Sequence, residues 1–162
     1  MVFGWLFGEK RKQEDGTVLA QLAQADAATQ ARDFARGEAL CRGILKADPD
    51  VAEAWSMLGV NLIRRGIGDP ELRAEAVIAW MRVLALRPGD SRAADHVRAE
   101  IQFPEEIVPR LISRLGDPAP TCDDTAAALA QIGEPAKAAL ELASRSSEPG
   151  AERARALLAN IS

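Results

Sequence analysis

The stretch Ala54-Trp55-Ser56-Met57-Leu58-Gly59-Val60-Asn61-Leu62, answered further along by Ala76, Trp80 and Pro88, decides how this chain is read. Trp55, Leu58, Gly59 and Leu62 recur at the interval that gathers side chains on one face of an α-helix. Ala76 and Trp80 repeat that interval on a second segment, which Pro88 closes. Between them, Arg65-Gly66-Ile67-Gly68-Asp69-Pro70-Glu71-Leu72-Arg73 has the composition of a loop. Its Asp69-Pro70 pair reads as an N-cap followed by Pro at the first helical position. Two helices joined by a loop are predicted.

The same residues match a known pattern. Trp55, Leu58 and Gly59 stand at the W-x2-L-G positions of the tetratricopeptide repeat, and Ala76, Trp80 and Pro88 at its A-x3-F and closing Pro positions, with Leu62 for Tyr and Trp80 for Phe. This part of the chain therefore resembles the tetratricopeptide family, with a turn about five residues longer than the family's own. Upstream, Asp33-Phe34-Ala35-Arg36-Gly37-Glu38-Ala39-Leu40 leads through Leu45 to Asp48-Pro49 and resembles the second helix of an earlier repeat, with Gly37 where Ala is usual. A helix over about 18–31 precedes it. After Pro88, Gly89-Asp90-Ser91 supplies a turn and an N-cap for a helix reaching about residue 102, which would cover the open end of the repeat.

Phe103-Pro104 breaks the chain, and from Glu105 the pattern changes. Ile107-Val108-Pro109-Arg110-Leu111-Ile112 followed by Ala126-Ala127-Ala128-Leu129-Ala130-Gln131-Ile132-Gly133 resembles the HEAT-like repeats of the phycobilisome-lyase type. A further pair, over 135–144 and 152–161, repeats it around the turn Ser146-Ser147-Glu148-Pro149-Gly150. The expected fold is all-α, antiparallel helical hairpins stacked as a short α-solenoid. Its expected divisions are an apolar segment and charged linker over 1–16, tetratricopeptide-like repeats with a capping helix over 17–102, and HEAT-like repeats over 103–162.

Composition agrees with this class and narrows the function. Ala, Leu, Arg and Glu, which lose least on entering a helix, dominate, while Tyr is absent and His96 is the single histidine. A net charge of −4 with interspersed signs gives no basic footprint, so nucleic acid is not an expected partner. Cys41 and Cys122 lie far apart and outside any CxxC pair; they are expected to be small buried side chains, not metal ligands. The adjacent carboxylates Glu105-Glu106 and Asp123-Asp124 each begin a predicted helix, where acidic residues favour the positive end of the helix dipole. No nucleophile with a neighbouring base, phosphate loop or ligand cluster accompanies them, so neither an enzyme nor a cofactor is expected. Arg64, Arg65, Arg110, Arg114, Arg153 and Arg155 are expected on solvated faces, pairing locally. Trp55 and Trp80 fall on packing positions and are expected in the core.

Function is then a matter of surfaces. Stacked helix pairs leave a curved inner face, and the tetratricopeptide resemblance implies that Ser56, Val60, Ile63 and Arg64 line it. Their apolar character suits a helix or extended apolar segment of a protein partner. At the N-terminus, Phe3, Trp5, Leu6 and Phe7 precede the basic residues Lys10, Arg11 and Lys12, which reverses the order of a secretory signal. Burying each aromatic is worth about 2 kcal/mol, so the segment should find a surface. That surface is the protein's own helices, a partner's groove, or weakly an anionic membrane interface. No apolar run approaches the roughly 20 residues that span a bilayer. The expectation is a cytoplasmic, bacterial-type adaptor, scaffold or assembly factor, with possible peripheral contact at the inner membrane face. A permanent structural subunit of a larger complex, or a chromophore-handling subunit like the bilin lyases, are the alternatives.

Overall fold

The computed structural model describes the backbone of residues 3–161 and the side chains of residues 16–161. The fold is all-α. In chain order the helices are α1 (Phe3–Gln30), α2 (Phe34–Ala47), α3 (Ala52–Arg65), α4 (Pro70–Leu86), α5 (Ser91–Glu100), α6 (Pro104–Arg114), α7 (Thr121–Ile132), α8 (Lys137–Ser144), entered through a single 3-10 turn at Glu134–Ala136, and α9 (Ala151–Leu158). Successive helices pack on one another as hairpins in a helical repeat arrangement. The side chains of Phe3, Trp5, Leu6 and Phe7 lie outside the described residues. The backbone of 9–16, expected as a linker, is part of α1, since Gly16 is the one residue there with poor helix propensity.

Helix boundaries follow local chemistry. Asp33 caps α2 by accepting from the Arg36 amide at 3.2 Å, Asp69 caps α4 through the Glu71 amide at 2.9 Å with Pro70 behind it, and Asp90 caps α5 through the Ala93 amide at 2.9 Å. The end of α1 is different. Arg32 sits at φ +61°, its amide donates to the Thr29 carbonyl, and the Asp33 amide donates to the Ala28 carbonyl. This is a Schellman motif with arginine in the left-handed position that glycine usually occupies.

Two glycines allow helices to approach closely. A Cβ on Gly59 would lie 2.5 Å from the Trp80 ring, so α3 and α4 pack with the indole against bare backbone. A Cβ on Gly37 would lie 2.5 Å from Asn61 Oδ1. Gly37 thus replaces the usual Ala because Asn61, fully buried between α2 and α3, needs the space. The Asn61 amide donates to the Met57 carbonyl at 2.8 Å, and its oxygen lies 3.0 Å from the Thr29 hydroxyl of α1. A buried amide with both ends partnered costs little and fixes the packing of three helices.

The centre is α4. It buries Ala74, Ala76, Val77, Ile78, Ala79, Trp80, Met81 and Val83, and so is apolar nearly all round. It packs against α3 and α5, and against α6 and α7 as well. The C-terminal part of the chain therefore lies, through α6 and α7, against the flank of α4. Apolar side chains from Ala25 to Ala154 join one cluster across the expected boundary at residues 102 and 103, which marks a change of pattern with no gap in the core. Two arginines of α4 hold this junction. Arg73 pairs with Glu100 at 2.7 Å and with Glu106, while its guanidinium lies 5.2 Å from the Phe103 ring centroid. Arg82 pairs with Asp124 at 2.9 Å.

Two expectations about side chains need correction. Trp80 is buried, its ring stacked on His96 with centroids 4.4 Å apart, whereas Trp55 is half-buried at the margin of the core. The indole N–H of Trp55 donates to the Pro49 carbonyl at 2.8 Å, which holds the ring over the preceding turn instead of inside the stack. Asp124, expected only to favour a helix start, is buried and faces Arg82.

Candidate functional site

The residues picked out on α3 do not all border the same hollow. Val60 and Arg64 line an open hollow of about 490 Å³ together with Thr29, Gln30, Arg32, Phe34 and Ile67. Ser56 lines a different hollow, of about 500 Å³, near Met57 and the turn that leads into α5. Ile63 is half-buried and packs against the margin of the core, as Val60 does with part of its surface.

The Val60 and Arg64 hollow is built from three elements. The end of α1 brings Thr29 and Gln30, the left-handed turn brings Arg32, and the start of α2 brings Phe34. The last two turns of α3 bring Val60 and Arg64, and the loop after α3 adds Ile67, which is 86% exposed. Phe34 and Val60 are half-buried, and both arginines are exposed. The hollow thus has an apolar floor and two guanidinium groups, and none of its lining residues is Asp, Glu, His or Cys. It can offer contact area and positive charge.

A second apolar hollow, of about 340 Å³, lies around Trp55, with Leu45, Leu58, Ile78 and Ala79 in it and Arg42 and Glu75 alongside. Arg42 and Glu75 pair with each other at 2.8 Å, and Arg42 also reaches Glu38 at 3.1 Å. At the Ser56 hollow, Arg87 pairs with Glu53, and this contact holds the Glu53 carboxyl below its usual range.

Most arginines read as solvated and locally paired are so. Arg65 pairs with Glu38 at 2.8 Å and Arg110 faces Glu71 at 3.7 Å. Arg153 and Arg155 donate to the Leu115 and Ser144 carbonyls. Arg64 differs from these: among the described residues its side chain has neither a carboxylate nor a carbonyl partner, and Arg32 shares this, while Arg36, Arg92 and Arg145 also lack a carboxylate. Both cysteines are buried, as expected, and burial pushes the Cys41 thiol up to about 11, so it stays protonated and unreactive at neutral pH. Burial likewise raises Cys122, with Asp123 beside it adding to the effect.

Arg32 and Phe34 were not marked by sequence. Their neighbourhood with Val60 depends on how α1 and α2 pack on α3, which no single-helix pattern encodes. Compared with protein-family models, curated proteins and solved structures, the chain has no match.

Proposed function

We propose that this chain is a non-catalytic adaptor or assembly factor that receives a segment of another protein where α1, α2 and α3 meet. One observation carries the reading: Phe34, Val60 and Ile67 present apolar surface to an open hollow within a repeat-like stack. Contiguous apolar surface left open where packed helices meet is what a protein partner covers. Among the described residues no helix is long and apolar enough to cross a membrane. A cytoplasmic setting, with the N-terminal aromatics as a second contact to a partner or an anionic surface, completes the proposal.

The test is site-specific photo-crosslinking in cells. A photoreactive amino acid at position 67, inside the hollow, should give a discrete adduct with one protein. The same group at exposed Ala130, on α7, should not. Equal or absent labelling at both positions would reject this face as the docking surface. A chain that stays soluble without the captured partner is an adaptor; one that is insoluble without it is a permanent subunit.

A further inference from the structure

The charge of the hollow says what kind of segment docks. Eight of the described arginines pair with a carboxylate, and Arg153 and Arg155 donate to backbone carbonyls. The other hollows that hold an arginine also hold an acid: Glu53 and Asp90 with Arg92, Glu75 with Arg42, and Asp33 with Arg36. The hollow between α1, α2 and α3 holds Arg32 and Arg64 and no acid at all, on a chain whose net charge is −4. Acidic residues are in excess in this protein and are absent from this one cationic site.

A second observation is independent of charge. Arg32 occupies the left-handed position of the Schellman motif at φ +61°, where glycine is free of strain and a β-carbon is not. Among the described residues its side chain makes no hydrogen bond or ion pair that would offset the strain. Non-glycine residues held in the left-handed region occur disproportionately at binding and active sites.

We propose that the hollow takes an acidic linear segment of a partner protein, with one large apolar side chain seated on Phe34, Val60 and Ile67 and flanking carboxylates held by Arg32 and Arg64. This rests on the docking reading above and adds the chemistry of what docks. The apolar contact excludes water around the guanidinium groups and so strengthens charge pairing that would be weak on an open surface. Arginine suits the task because its planar fork meets a carboxylate through two hydrogen bonds.

The experiment is selection of random dodecapeptides displayed on phage against the whole chain at low salt, followed by affinity measurement of the selected peptides as synthetic probes. Expected are peptides carrying at least two carboxylates around a Leu, Ile, Phe or Trp. Each should lose about fivefold in affinity on Arg64→Gln and on Arg32→Gly, and should weaken as salt is raised. Arg32→Gly is the decisive variant, because glycine suits that backbone: thermal stability should hold or rise while affinity falls. Ile67→Ser, at an exposed position, should weaken binding through the apolar contact alone.

The outcomes separate the two readings. Uncharged peptides that respond to Ile67→Ser but not to the arginine variants would overturn the acidic segment and leave docking standing. Peptides unaffected by any of the three substitutions would overturn docking at this hollow. Failure to select any peptide, with Arg32- and Arg64-dependent binding to phosphatidylserine vesicles instead, would assign the site to a lipid surface and overturn the proposal.

Discussion

The flanks of α4 and the hollow where α1, α2 and α3 meet are made of the same materials, apolar side chains and arginine, put to opposite use. Around α4 the apolar side chains are buried, and Arg73 and Arg82 each meet a carboxylate of a neighbouring helix. At the hollow the apolar side chains are half in water, and Arg32 and Arg64 meet none among the described residues. The difference teaches that a guanidinium by itself says little about role. What matters is whether the chain has supplied its counter-charge.

Three substitutions and one deletion would break or sharpen this contrast. Trp80→Ala should cost the most, about 4 kcal/mol in a denaturant titration, because it empties the contact with Gly59 and His96 at the heart of α4. A loss near zero would mean the centre of the molecule is elsewhere. Arg82→Ala should follow, at about 3 kcal/mol at neutral pH, since it leaves Asp124 buried without a counter-charge.

That second effect has a pH signature. Burial holds the Asp124 carboxyl above its ordinary range, and the opposing pull of Arg82 does not fully offset this. An acid whose pKa is higher in the folded state contributes stability while protonated, below its unfolded pKa, and gives that contribution up as pH rises through its folded pKa. Urea unfolding should therefore find the Arg82→Ala penalty shrinking as pH is lowered and Asp124 takes up a proton. A penalty constant with pH would mean that Asp124 is not the group left exposed to the loss.

Trp55→Ala should cost less, about 2 kcal/mol, because its ring is half-buried and its N–H is satisfied by the turn at Pro49. If it equalled Trp80→Ala, the two tryptophans would be equivalent after all. Deleting residues 1–8 should change stability least, under about 1 kcal/mol by thermal denaturation, while weakening association with a partner or an anionic membrane. A large drop in melting temperature with binding unaltered would place Phe3, Trp5, Leu6 and Phe7 on the protein's own helices.

Much of the fold was legible because its signals are local. Asp69-Pro70 and Asp90 start α4 and α5 where capping chemistry says they should, and Trp80 is buried as its place in the repeat pattern implies. The start of α1 was missed because Glu9 to Asp15 carry nothing that breaks a helix, and charge alone reads as a linker. The position of α6 and α7 on α4 was missed for a different reason. Ala and Leu at helical spacing say which face is buried and are silent on what it is buried against. The candidate site was half legible: Val60 and Arg64 share the hollow, while Ser56 and Ile63 do not line it. Its other wall comes from a turn whose feature, a non-glycine residue at positive φ, leaves no pattern in sequence.

A repeat array can ordinarily lengthen during evolution by duplicating a unit, since each new copy offers the next the same face it received. The placement of α4 closes that route at the middle of this chain. Its sides are taken by α3, α5, α6 and α7, so a unit inserted after α5 would have to displace α6 and α7 from the flank they occupy. Variation in length among descendants of this sequence should therefore gather at the two ends of the molecule and spare the stretch between Pro70 and Ile132.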